Sequence, residues 1–334
     1  MQIIDTQTLL EVILNILVYP GLLFAFIMGS LFWWEFRKLR ARFQSRVGPP
    51  WYQTFADLIK LFAKETIIPA ISNKFLFVFA PILALASALV VLWLLPIPVS
   101  ILPAISIFNL SFYGDLILVI YLLAMIEAAE ILAGFSSSSP YGVIGSSRKV
   151  NLVIAYELPF ALATIAVAFH VSSLRLSDIF TYQILNGPFI LDVPTGSSFA
   201  FLAPIFHLIT FIVFIMCILP KLRIKPFDMP EAECEIIAGP LTEYSGRLLG
   251  LFELTHVLKW FIIPALTVIL FFGGDLTIVT FLIKCALVVL LFTFLEVINP
   301  RYRIDQGYKF YFKYILPLAI IAFIGETAFA LGVI

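Results

Sequence analysis

The sequence predicts an all-α integral membrane protein: a bundle of eight transmembrane helices with cytoplasmic amphipathic segments between them. Three observations carry this. Of 334 residues, 62% are hydrophobic and 13% charged, with a mean hydropathy of +1.06, whereas soluble domains are about a quarter charged. Eight stretches, roughly 9–34, 75–95, 116–135, 152–171, 199–219, 251–272, 276–298 and 314–332, each supply the ~20 mostly apolar residues a helix needs to cross the hydrocarbon core. Lipid admits only helices or closed barrels, and these runs are too long and unbroken for barrel strands. Lastly, eighteen of the 21 Lys and Arg residues fall in the connections after segments 1, 3, 5 and 7. That asymmetry places these connections in the cytoplasm and both termini outside.

The chain reads as one membrane domain over 1–334, with cytoplasmic loops at 36–74, 136–151, 220–250 and 299–313. Its start, MQIIDTQTLLE, has no basic run and no small-residue cleavage site, so it is expected to belong to the mature chain. After segment 1, RKLRARFQSR leads into WYQTFADLIKLFAKETIIPA (51–70), where Phe55, Leu58, Ile59 and Phe62 share one helical face and Asp57, Lys60 and Lys64 another. This is the pattern of an amphipathic helix at the interface, and periodicity alone fits a surface anchor equally well. The external connections 96–115 and 172–198 are polar-poor and suggest no chemistry, and no inverted repeat of the transporter kind is visible.

Charges inside the spans are costly and are expected to face protein or water. They are Glu127 and Glu130 on segment 3, Glu157 on segment 4, Glu253, His256 and Lys259 on segment 6, and Lys284 and Glu296 on segment 7. Glu127 and Glu130, three apart, share a face. Pairing within the bundle is one reading of any single residue. A hydrated proton path is favoured for the set, because acids outnumber nearby bases and cluster toward the cytoplasmic half. The loop FDMPEAECEIIAGPLTEYSG (227–246) adds Asp228, Glu231, Glu233, Glu235 and Glu243. Pro230 suits a first helical turn and Asp228 its cap. Glu231 and Glu235, four apart, would then repel and share a proton, with Arg223 and Lys225 relieving part of the charge. Cys217, Cys234 and Cys285 lie far apart without a CxxC pair, so no cysteine-built iron–sulfur or zinc site is expected. The formal net charge is zero, which implies no nucleic-acid partner.

Three blocks resemble a known family. PFDMPEAECEIIAGPLTEYSG (226–246) is similar, almost residue for residue, to the cytoplasmic loop of the subunit that joins the peripheral arm of respiratory complex I to its membrane arm. LAGFSSSSPYGVIGSSRKVNLVIAYELP (132–159) resembles that subunit's loop and fourth helix, ending in a Tyr-Glu pair, here Tyr156 and Glu157. RVGPPWYQTFADLIKLFAKETIIP (46–69) resembles its first cytoplasmic loop. The resemblance covers nearly the whole chain. Quinone-reducing members carry a second Gly-Pro unit in that first loop, whereas here Gly48-Pro49-Pro50 leads directly to Trp51, Gln53 and Asp57. The shortened form resembles the homologous subunit of energy-converting membrane-bound [NiFe]-hydrogenases, formate hydrogenlyase and a sulfane-reducing complex.

The resemblance implies a membrane subunit of the cell membrane that holds no cofactor itself. The [NiFe] centre and iron–sulfur clusters are expected in partner subunits: hydrogenase-like large and small subunits, beside antiporter-like membrane subunits. Quinone binding is not expected. Glu130, Glu157, Glu231, Glu233, Glu235, Glu243 and Glu253 would line an acidic channel under the redox arm, with Glu127 and Asp228 extending it. Arg46, Gly48, Pro49, Gln53 and Asp57 would contact that arm. A quinone-reducing subunit, a stand-alone ion transporter and an inert structural anchor remain the alternatives. The terminal acceptor, and H⁺ against Na⁺, are decided in other subunits.

Overall fold

The computed structural model describes residues 17–18, 21–98, 107–108, 110–192, 202–274 and 277–330. Among these residues, apart from a two-residue strand pair, Ile97–Pro98 (β1) with Ile107–Phe108 (β2), the regular structure is helical. Helices α1 (Leu22–Phe43), α2 (Gln53–Ala63), α3 (Lys74–Leu94), α4 (Asp115–Ser136), α5 (Pro140–Val171), α6 (Leu176–Asn186), α7 (Ala203–Lys221), α8 (Gly246–Phe271), α9 (Ile278–Ile298), α10 (Ile304–Phe310) and α11 (Leu316–Ala330) follow in order. Among the described residues, seven helices are long and apolar enough to cross a membrane: α3, α4, α5, α7, α8, α9 and the combined run Ile304–Phe329. The expected segment 9–34 lies partly outside the described residues, and its described part belongs to α1.

One helix organises the rest. In α8 the apolar window is 94% buried, against 33–56% in the other spans. A helix that is apolar all round belongs in the centre of a bundle. Helices α1, α2, α3 and α9 pack around it, while α11 lies on α5 and α7. The spans alternate in direction, so the basic connections gather at one end. Two cross-links mark the ends: Asn73 N donates to Ser136 O at 3.1 Å at the basic end, and Leu176 N donates to Asp115 Oδ1 at 2.7 Å at the other.

Two connections are shorter than the sequence suggests. Only 137–139 separate α4 from α5, because Pro140 sits in the first turn, where its missing N–H costs nothing. Arg148 and Lys149 are therefore helical, not loop residues. The expected loop 299–313 likewise contains α10, which passes through the π turn Tyr311–Ile315 into α11.

The acid-rich loop folds back onto the bundle. A Cβ at Gly145 of α5 would come within 2.7 Å of the Gly239 backbone, so glycine is what lets loop and helix touch. Gly239 itself has φ +55, where only glycine is unstrained. Tyr244 then stacks on Phe77 (centroids 4.0 Å, interplanar 4°) and donates to Phe77 O at 3.0 Å. Burial pushes its phenol up to about 12, which keeps it a neutral donor. The amphipathic segment is α2. Phe55 packs edge-on against Phe26 of α1 and Leu58 is buried, but Ile59 remains 70% exposed.

The alternation predicts a labelling pattern. In a cysteine-free background, Lys64→Cys should react with an impermeant thiol reagent only from the cytoplasmic side, and the exposed Leu185→Cys only from outside. Labelling of both from one side would reverse the orientation.

Candidate functional site: a buried ion-pair network at the basic end

The loop, α4, α5, α7 and α8 meet in a chain of charges. Glu127 on α4 receives Lys149 Nζ of α5 at 2.7 Å and Lys259 Nζ of α8 at 3.0 Å. Glu130, one turn on, pairs with Lys149, with Lys259 at 3.3 Å and with Arg223 at 2.8 Å. Arg223 Nε reaches Glu231 of the loop at 2.9 Å. Beside them, Lys221 Nζ binds Glu157 at 2.6 Å, and its own carbonyl accepts from Lys259 at 3.0 Å. The Lys221 ammonium also lies over the rings of Tyr156 (4.9 Å) and Phe160 (4.5 Å).

This changes the charge count. The network holds Glu127, Glu130, Glu157 and Glu231 against Lys149, Lys221, Arg223 and Lys259, so acids do not outnumber bases. Lys149 and Lys221, which read as loop charges in sequence, are 4% and 1% exposed.

The loop acids separate instead of repelling. After a 3₁₀ turn at Met229–Glu231, a single helical turn at Glu233–Ile236 follows. The break sends Glu231 inward to Arg223 and Glu235 outward to Arg148, so the expected contact between them does not form. Asp228 makes no cap. Its carboxylate instead takes a two-pronged bond from Arg301, Nε at 2.7 Å and Nη2 on the second oxygen. Glu243 is half-buried. The side chain of Glu233 lies outside the described residues.

Side-chain exposure falls stepwise along the paired chain, Glu231 21%, Glu130 2%, Lys259 1%, while Glu235, paired with Arg148 at the rim, is 54% exposed. A small cavity of about 10 Å³, room for one water centre, is lined by Glu127, Lys149, Tyr156, Arg223, Asp228 and Glu231. Tyr156 Oη is buried without a hydrogen-bond partner and lines the same cavity. The arrangement is a graded line of alternating charges from surface to interior.

The stripe expected on α8 splits. Lys259 joins the network. His256 Nε2 accepts from Trp260 Nε1 at 3.0 Å. Glu253 lines a separate cavity with Trp33, Arg37, Thr54, Asp57 and Leu61, between α1, α2 and α8. There Gln53 Nε2 donates to Asp57 Oδ1 at 2.8 Å, with Arg37 at 3.9 Å. Trp34 Nε1 holds Pro49 O at 3.1 Å, and Gly48 (φ +73) turns the chain, leaving Arg46 exposed. Elsewhere, Glu296 pairs with Arg40 at 2.9 Å, and Lys284 donates to the carbonyls of Phe272 and Gly273 at the far end. The structure thus joins Glu127, Glu130, Glu157 and Glu231. It leaves Glu235 and Asp228 at the rim, and Glu253 with Gln53 and Asp57 in a second group.

A multi-span membrane subunit with buried charge pairs beneath an ordered polar loop is the class that fold and site define. Comparison with known proteins agrees: the chain belongs to the NADH dehydrogenase family, whose model matches residues 14–326. It is 33% identical over 323 residues to the H-type subunit of the Dehalococcoides mccartyi NADH-quinone oxidoreductase, covering 92% of this chain and 84% of that one. An H-type subunit of the same oxidoreductase from Rhizobium meliloti is 35% identical, with 86% and 88% covered. Among solved structures, a chain of the membrane-bound sulfane sulfur reductase, an archaeal respiratory membrane complex, superposes with a TM-score of 0.79. It is 29% identical, over 95% of this chain and 99% of that one. These relatives are subunits of multi-subunit respiratory complexes.

Removing one member of a buried pair strands the other. Lys259→Met should lower stability by about 3–5 kcal/mol, because two buried carboxylates lose a partner. Adding Glu127→Gln should recover part of that loss. Thermal melts of the four-member cycle in detergent check this, and strict additivity would show that the pair is not coupled.

Proposed function

We propose that this chain is the membrane subunit that anchors a [NiFe]-hydrogenase-like peripheral arm and couples its electron transfer to the movement of H⁺ or Na⁺. One observation carries the reading. The charge line from Glu231 through Arg223 and Glu130 to Lys259 starts at the loop that would face such an arm and ends inside the bundle. Alternating acids and bases in contact can pass a displacement of charge inward as a rearrangement of pairs, without a fixed charge being stranded in lipid. The likeness to a chain of the sulfane sulfur reductase complex supports the hydrogenase-type assembly. The direct Gly48-Pro49-Pro50-Trp51 junction supports a complex that needs no quinone.

The arm would sit on the α1–α2 connection. Arg46 and Trp51 are exposed there, beside Val47 at 75% exposure. The cytoplasmic side, both termini outside and the eighth span are part of the same proposal, resting on the distribution of Lys and Arg. Antiporter-like subunits would take the membrane flank.

The equal count of acids and bases in the network favours a second reading, an inert anchor whose pairs only hold the helices together. Ion translocation per electron in reconstituted vesicles separates the two. Glu157→Gln should leave the complex assembled, since Gln still accepts a hydrogen bond from Lys221, yet lower the ion-to-electron ratio at least several-fold. An unchanged ratio at equal complex content would leave only the anchor. A separate assay checks the docking surface: Arg46→Glu should release the redox arm from washed membranes. An arm that stays bound and active would move the contact elsewhere.

A further inference from the structure

At the end of the bundle opposite the ion-pair network, His170 of α5, His207 of α7 and Glu326 of α11 converge, each offering a donor atom within 4.8 Å of the others. They are buried, with side-chain exposures of 5%, 0% and 0%. The carboxylate gives one oxygen to each ring. Oε1 lies 2.7 Å from His207 Nδ1, and Oε2 lies 3.3 Å from His170 Nδ1. The far edge of each ring faces Asp192. His170 Nε2 is 3.1 Å from its Oδ2, and His207 Nε2 is 3.1 Å from its backbone carbonyl. Tyr182 donates to the same Oδ2 at 2.8 Å. None of these residues stands out in the sequence, where 172–198 suggests no chemistry.

Proton counting shows what the cluster is built for. A carbonyl only accepts, so His207 Nε2 must carry the hydrogen. Asp192 Oδ2 is likewise an acceptor and takes the Nε2 hydrogen of His170. In the neutral rings, both Nδ1 lone pairs then point at the Glu326 carboxylate, acceptor against acceptor, in a buried site, with His170 Nδ1 and Glu326 Oε2 3.3 Å apart. A positive charge belongs at that point, supplied either by a proton on each ring or by a cation held between them. Rings held on their outer N–H by a carboxylate and a carbonyl, with the other nitrogen turned inward, are the arrangement that orients metal-binding histidines.

We infer that His170, His207 and Glu326 bind one divalent ion of the zinc type, with Asp192 orienting both rings. Two imidazole nitrogens and a carboxylate suit Zn²⁺ or Co²⁺, whereas Ca²⁺ and Mg²⁺ require more oxygen ligands than converge here. Ligands about 2.0–2.1 Å from a tetrahedral ion stand roughly 3.3 Å apart. The His170–Glu326 separation already matches, and the His207–Glu326 one, to the other carboxylate oxygen, must open by about half an ångström. The widest donor pair, within 4.8 Å, must close by up to about 1.5 Å around the ion. The widely spaced cysteines spoke only to thiolate sites. This one draws on three helices and ties their outer ends together.

The test uses the full chain in detergent, carrying Cys234→Ser to remove thiolate binding, stripped with chelator and titrated with Co²⁺. One equivalent should bind with the visible absorption of a tetrahedral nitrogen–oxygen site and be displaced by Zn²⁺. His170→Gln with His207→Gln should abolish that equivalent. Asp192→Asn, which leaves all three ligands, should retain it with affinity lowered about 10–100-fold. Absence of a bound equivalent in the chain with all three ligands overturns the inference, however the variants behave. So does a double variant that elutes and melts like its parent yet keeps the Co²⁺ spectrum.

Discussion

The structure depends on one constraint: a charge inside a bundle that faces lipid must be met by another. Lys259 is where the constraint is tightest. It sits on the most buried helix, and its ammonium is satisfied by Glu127, Glu130 and the carbonyl of Lys221, which come from two other helices. Between helices in a bilayer the hydrophobic effect gives no preference for one neighbour over another, so polar contacts of this kind set which helices meet. The register of α4, α7 and α8 at the basic end follows from that meeting, and α5 is added through Lys149.

The loop depends on the same pairs. Without Arg223 turned inward, Glu231 would have no partner, and the 3₁₀ turn at Met229–Glu231 would have no reason to lie against α5. Gly145 and Gly239 permit the approach, while Arg223 and Arg301 fix it from either side. Backbone permissiveness and charge pairing solve different halves of one problem. Glycine removes the clash, and the ion pair supplies the preference.

How much of this was legible in sequence follows from the range of each interaction. Seven of the spans were legible because hydropathy is a local sum, and so were the shared face of Glu127 and Glu130 and the amphipathic α2. The identity of the loop was legible as a resemblance, since its motif is long and specific. Pairing was not. Lys149 and Lys221 carry the same positive-inside signal whether they lie in a loop or turn inward, and only the packed helices decide. The split of Glu231 from Glu235 depends on a turn that breaks helical spacing. His170, His207 and Glu326 each stood inside an expected span, where any ionisable residue marks a candidate site. They escaped because each is the one member of the trio on its helix and acquires meaning only when three helices converge.

Both clusters use α5, and their separation bears on what the chain can conduct. Lys149 and His170 are 21 residues apart, which at 1.5 Å per residue is about 31 Å, close to the thickness of the hydrocarbon core. With Tyr156 and Glu157 reaching inward from the Lys149 end, polar chemistry is thus concentrated toward the two ends of one span. Between them, the hydroxyls of Thr164, Thr210 and Thr267 are spent on carbonyls of their own helices. Such threonines are satisfied locally and offer no continuous line of exchangeable groups. A charge displaced inward along Glu231, Arg223 and Glu130 reaches Lys259, and these threonines, spent on their own helices, add no link from there toward the His170 end. In the proposed assembly, the network is the place where a redox event at the loop is converted into a shift of buried pairs. The ion itself would cross through neighbouring membrane subunits, and the outer cluster serves to hold α5, α7 and α11 in fixed relation while that shift occurs.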